Sequence, residues 1–341
     1  MNSPLLYSFF LILFVSSIAR GQTPNSETAP KSSGDSSNNP QSLTKIPQGV
    51  ILVKGAWSSA SDSVTPLPED GNVDKGVFTN PYFGMSYALP LHWIQEYEGP
   101  PPSESGRYVL AQIAPPDTDT KPVAGSILVT AQDMFFTPFP AVNAHELIRY
   151  TREHLQSDYK VETEIRQANV ADRTFTFFAY WSPVAELHWY VLATQIRCHA
   201  VQIVLTSRDT NLLDRLMLDL NKMKLPEDAS PTAGFGGGSV PLCIKDYARD
   251  ENVIAHVDPL FTEHRFNSIP VRIIIDKEGK VKHIHFINAF PDQAKAITDA
   301  LRQWRFKTYQ QDGQAVEVET GILFGRPQRT TMPTPTRSAL K

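Results

Sequence analysis

The stretch "DALRQWRFKTYQQDGQAVEVETGILFG" (299–325) decides how the C-terminal third of this chain folds. It ends a helix in an aromatic-basic-aromatic step (Trp304, Arg305, Phe306), crosses a polar loop and opens into a strand. No nucleophile, acid or metal ligand is concentrated at that junction, so the step reads as packing and pairing. Upstream, "IPVRIII" (269–275) is a continuous apolar strand and "DKEGK" (276–280) a tight turn in which Gly279 can take positive φ. "VKHIHFI" (281–287) returns as the second strand. In "PDQAKAITDALRQW" (291–304), Pro291 suits the first helical turn, and Ala294, Ile297, Ala300, Leu301 and Trp304 form one stripe. The closing strand 315–324 alternates, with Val316, Val318, Thr320, Ile322 and Phe324 on one face. The hairpin makes the first two strands antiparallel, so a wholly antiparallel sheet needs spatial order 2-1-3. The third strand is then an edge. Trp304 and Phe306 are expected to cap a one-helix core, with Arg305 outward.

Working outward, "PEDASPTAGFGGGSVP" (226–241) reads as a linker, since no Gly-Lys-Ser/Thr follows its glycines. Residues 326–341 read as a disordered tail, and the Ser/Asn/Pro-rich residues 22–47 as a disordered tether. "MNSPLLYSFFLILFVSSIARGQ" (1–22) has a signal-peptide apolar core from Leu5 to Ile18 and a cleavage site after Gly21. Export to the periplasm or beyond is the expected localisation; an uncleaved anchor is the alternative. The net charge of -4 gives no basic field for nucleic acid.

Residues 48–225 form the first module, with strands expected at 82–89, 107–113, 123–132, 159–167, 170–181, 186–196 and 199–206. Helices are expected at 141–156 and 209–224. Whether Val50–Val53 joins that sheet is left open. The fold class is therefore α+β in two domains: an antiparallel sheet with covering helices, then a three-stranded antiparallel sheet with one helix (242–325).

Two resemblances attach to these modules. "NPYFGMSYALPLHW" (80–93), through Phe83, Gly84, Tyr87, Pro90 and Trp93, resembles the entry strand of the PsbP-like family. That implies an α/β/α sandwich used for docking onto partners. Asp276, Gly279, Ala300, Trp304, Arg305, Phe306 and Gly313, with the lead-in 252–266, resemble the C-terminal domain of TonB-type energy transducers. This implies partner capture in the cell envelope and a role in transport. An outer-membrane receptor segment would be added as a strand along the edge Glu317, Val318, Glu319, Thr320 and Gly321.

Candidate chemistry is thin, and the expectation is a protein-binding module, not an enzyme, with no cofactor and no metal. His283 and His285 share a strand face at a chelating spacing but read as solvent-facing. Glu162 with Glu164, and Glu317 with Glu319, read as solvated strand faces. Cys198 and Cys243 lie in different modules and read as free thiols, although export permits a bridge. The aromatic set Phe175, Phe177, Phe178, Tyr180, Trp181, Trp189 and Tyr190 reads as sheet core. The alternative function, a small-molecule binder or enzyme, would use that face as a groove.

Overall fold

A computed structural model describes residues 50–52, 60–62, 68–69, 71–97, 105–116, 125–226, 241–262 and 267–325. The expected signal peptide, tether, most of the linker and the tail lie outside the described residues.

The chain begins with β1 (Val50–Leu52) and β2 (Ala60–Asp62), then a small meander of β3 (Asn72–Asp74), β4 (Val77–Asn80) and β5 (Met85–Ala88). Next come β6 (Ile94–Tyr97), β7 (Arg107–Ala114), β8 (Gly125–Asp133) and helix α1 (Ala144–Glu153). Four long strands follow: β9 (Lys160–Val170), β10 (Arg173–Ser182), β11 (Leu187–Ile196) and β12 (His199–Ser207). Helix α2 (Thr210–Leu220) closes the module. β6 to β12 form a seven-stranded sheet of order β6-β7-β8-β12-β11-β10-β9, antiparallel throughout. Both helices are capped as their sequences dictate: Asn143 accepts from the Glu146 N–H, and Asp209 from the Asn211 N–H. Leu213, Leu216 and Leu220 of α2 pack into one core with Phe78, Tyr87, Phe175, Leu192 and Ile203.

The second module comprises β13 (Leu242–Cys243), β14 (Val253–Ala255), β15 (Ile269–Ile275), β16 (Val281–Phe286) and helix α3 (Pro291–Leu301). It continues through β17 (Arg305–Phe306), β18 (Tyr309–Gln311), β19 (Gln314–Val316) and β20 (Val318–Phe324). The hairpin forms because Asp276 Oδ1 accepts from the N–H groups of Glu278 (3.0 Å) and Lys280 (2.8 Å). Gly279 at φ +78° takes the left-handed position, and a Cβ there would strike the carbonyl oxygen of Phe306. Trp304 and Phe306 are buried beside α3 and Arg305 is partly exposed. β16-β15-β20 run in the 2-1-3 order that connectivity demands.

Three features depart from the sequence reading. The expected third strand is broken at Glu317 into β19, which pairs with β18, and β20. β1 and β2, assigned to the first module, form a hairpin that extends the second sheet, with Ser61 opposite His285 and Ala60 opposite Phe286. The second sheet therefore has six strands, β1-β2-β16-β15-β20-β13. Finally, the described residues of the two modules fall in one compact unit. The physical reason is that β15 and the first residues of β20 are buried on both faces. Ile269, Val271, Ile273 and Ile275 of β15 face α3, whereas Arg272 and, on β20, Glu319 and Gly321 face the first module.

Candidate docking surface

Strand β20 was the expected docking edge, and its surroundings decide what the second module can offer. Leu242 and Cys243 pair in parallel with Val318 and Glu319; the Leu242 N–H donates to Glu317 O (2.8 Å) and the Ile244 N–H to Glu319 O (3.0 Å). The edge is thus covered from the Glu317 carbonyl through Val318 and Glu319, three of the five residues expected to receive a partner. Glu317 is held by Lys282 at 2.8 Å, and Thr320 is buried, its Oγ1 accepting from the Tyr247 N–H at 3.2 Å. At Gly321, an added Cβ would lie 2.7 Å from Phe135 Cβ and 2.8 Å from Phe136 Cζ, so only glycine lets the first module come this close. Glu317 to Gly321 therefore form a junction and not an open edge.

Glu319 is buried because it has a charge to meet. Arg272, 2% exposed, donates to Asp133 Oδ2 at 2.6 Å and pairs with Glu319 Oε1. Its Nη1 also lies 2.8 Å from His199 Nε2. Burial opposes the Arg272 charge, but Asp133 and Glu319 outweigh it and hold the guanidinium above its ordinary range. Burial pushes the Asp133 carboxyl up, against the pull of Arg272 and the Phe135 N–H. His199 is driven well below its ordinary value, first by burial and then by Arg272, so it sits neutral and accepts from the guanidinium. Edge-on rings of Tyr82, Phe83 and Tyr108 enclose it. With every member inaccessible, this network joins the modules and does not meet a partner.

Cys198 and Cys243 are bridged across the same junction, contrary to the reading as free thiols. The turn after β11 brings Cys198 next to β20, and β13 brings Cys243 to its edge, so the two meet with Cα atoms 5.5 Å apart. The bridge spans 45 residues, and in the loop-closure account such a link stabilises by about 4 kcal/mol.

The other candidate residues resolve simply. His285 is not solvent-facing: β2 pairs beside it and Glu69 Oε1 lies 3.8 Å from its Nε2. His283 and His285 belong to no metal-holding group among the described residues. Glu162 pairs with His188 at 2.9 Å and Glu164 with Arg152 at 2.8 Å. Phe175, Phe177, Phe178, Tyr180 and Trp189 are buried in the sheet, with Trp181 and Tyr190 at its margin. They lie on both faces of the sheet, Phe175 and Phe177 in the first core and Phe178, Tyr180 and Trp189 stacked on one another on the other side.

What remains open is the lead-in to the second module. Ile254 (66% exposed), Val257, Leu260 (87%) and Phe261 are exposed apolar side chains within the eight residues 254–261. Trp304 fixes this stretch, its indole N–H donating to Val257 O at 2.9 Å, with His256 against the ring. β14 pairs with β17 on one side, and among the described residues no strand pairs with its other side. Exposed Asp250, Glu251 and Asp258 border these apolar side chains. The stretch is "NVIAHVDPLF", which the sequence reading placed only within the lead-in 252–266.

These elements define an α+β protein with mostly antiparallel sheets and few helices. No family model and no curated protein matches the chain. Among solved structures it is similar to cyanobacterial PsbP (CyanoP) from Synechocystis sp. PCC 6803, at 12% identity and a TM-score of 0.32, covering 46% of this chain and 96% of that one. Among the described residues, no helix is long and apolar enough to cross a membrane.

Proposed function

We propose that this chain is an exported protein of the cell envelope that acts by docking and not by catalysis. In this reading it captures an extended segment of an envelope protein along residues 253–261. The observation that carries it is the run of exposed apolar side chains that begins on β14, a strand with no second partner among the described residues, since backbone pairing supplies affinity and flanking side chains supply selectivity. The bordering acidic residues favour a segment with Lys or Arg beside its apolar positions. The cysteine bridge supports an oxidising compartment and hence export. The TonB-type resemblance of the C-terminal module supports an outer-membrane receptor segment as partner and a part in transport. Capture then moves from the β20 edge, which is covered, to the lead-in strand.

The test is a benzophenone photocrosslinker placed at Leu260 of the full chain in living cells, with Val184, equally open at 82% exposure, as control. A crosslink from Leu260 to an extended segment of one envelope protein, lost on Ile254→Asp, is expected. Equal labelling at both positions, or labelling indifferent to Ile254→Asp, contradicts the reading.

A further inference from the structure

Among the described residues, Cys198, Cys243 and Glu319 are brought together so that their Sγ and carboxylate atoms lie within 4.8 Å of one another. The two half-cystines differ sharply in setting. Cys198 is 1% exposed, with its Sγ 3.3 Å from Glu319 Oε2, whereas Cys243 is exposed on β13. We propose that this bridge is a thiol-exchange site entered through Cys243, and that opening it uncovers the β20 edge at Val318 and Glu319.

The chemistry follows from which sulfur an attacker can reach. A thiolate of an external dithiol attacks Cys243 Sγ, forming a mixed disulfide there while the bond to Cys198 breaks. The Cys198 sulfur leaves with the electron pair beside the Glu319 carboxylate. That neighbour disfavours a thiolate, so the sulfur takes up a proton released by the reagent, and the new S–H donates to Oε2. The second thiol of the reagent, ionised, then attacks its own sulfur in the mixed disulfide and frees Cys243, which takes the second proton. The dithiol loses two electrons and two protons, and the bridge gains both.

Opening has a structural consequence because β13 is a two-residue strand at the end of the sheet. Apart from the bridge, it is held by a short parallel ladder to β20, in which the Leu242 and Ile244 N–H groups donate to Glu317 O and Glu319 O, and by the half-buried Ile244 side chain against the second core. Release stops at Tyr247, which is buried, donates its N–H to Thr320 Oγ1 and its hydroxyl to Lys307 O at 2.7 Å. The Glu317 and Glu319 carbonyls then lose the donors that the Leu242 and Ile244 N–H groups supplied. This edge is distinct from the stretch at 253–261, and the inference stands or falls without it.

The experiment uses the folded full chain. Treated briefly with reduced glutathione and quenched by alkylation, it should carry the glutathione adduct on Cys243 and the alkyl group on Cys198. After reduction by dithiothreitol without denaturant, amide exchange at Leu242 and Ile244 should rise at least about tenfold, with Ile269–Ile275 unchanged. Cys243→Ser should reproduce that exchange pattern without reductant. An adduct on Cys198, a bridge that resists dithiothreitol until the chain unfolds, or exchange that rises everywhere or nowhere overturns the proposal.

Discussion

Replacing Arg272 by Met keeps most of the side-chain volume but removes the guanidinium that meets Asp133 at 2.6 Å and Glu319. Asp133 is then left fully buried with no counter-charge, and it avoids that state by taking a proton. Neutralising an ordinary carboxyl at pH 7 costs about 4 kcal/mol, three pH units above its usual value at roughly 1.4 kcal/mol each. Because the carboxyl already lies above its ordinary value beside Arg272, the Asp133 part of the deficit at pH 7 is at most about 4 kcal/mol, with Glu319 adding to it. The pH dependence has a definite sign. Burial already holds the Asp133 carboxyl above its ordinary value with Arg272 present, and losing the cation raises it further. A group with a raised folded-state value stabilises below its unfolded-state value and loses that contribution as pH rises through the folded one. The deficit of Arg272→Met should accordingly be smallest near pH 4 and grow, by up to about 1.4 kcal/mol per pH unit, once pH passes the raised Asp133 value of the parent protein. Urea denaturation of both proteins across that range, bridge intact, measures it. A deficit below about 1 kcal/mol at pH 7, or one independent of pH, would mean that water reaches Asp133 and that the network is not what joins the modules.

Two further outcomes follow from the packing. Trp304→Ala removes a ring that is 9% exposed, and should cost roughly 3–5 kcal/mol in thermal or urea melts while raising amide exchange at Val257, whose carbonyl the indole holds. Gly321→Val should force Phe135 and Phe136 away from β20 and lower stability by about 1–3 kcal/mol or more, read by urea melts; an unchanged midpoint would mean that the junction is loose.

How far the sequence discloses this depends on the distance between partners. The 269–325 hairpin, helix and strand order are legible because Asp276, Gly279, Pro291 and the α3 stripe act within a few residues of themselves. The long strands β9 to β12 are legible for the same reason. The β20 edge is misread because β13 is two residues long and carries no periodicity, and because its pairing crosses about 75 residues. The β1–β2 hairpin is misplaced because its partner β16 lies in the other module. One signal was available: Arg272 sits inside the apolar run "IPVRIII", and a charge in such a run requires a buried partner from elsewhere. Gly321 in the middle of a strand was a second, marking close approach of another backbone or ring. Neither names Asp133 or Phe135, since nothing local ties those residues to β20.

The claim on which the rest depends is that the second sheet is bolted to the first module through Arg272, Asp133, Glu319 and Gly321, and not merely tethered by chain and bridge. The direct measurement starts from the Cys198→Ala/Cys243→Ala variant carrying an engineered protease site within 227–240. After complete cleavage, the fragments are run together by size exclusion under native conditions. The account predicts a single peak containing both fragments in equal amounts, which splits when Arg272→Met is added. Two separate folded peaks from the cleaved protein with Arg272 intact would contradict it, leaving two independent domains joined only by a linker and a disulfide.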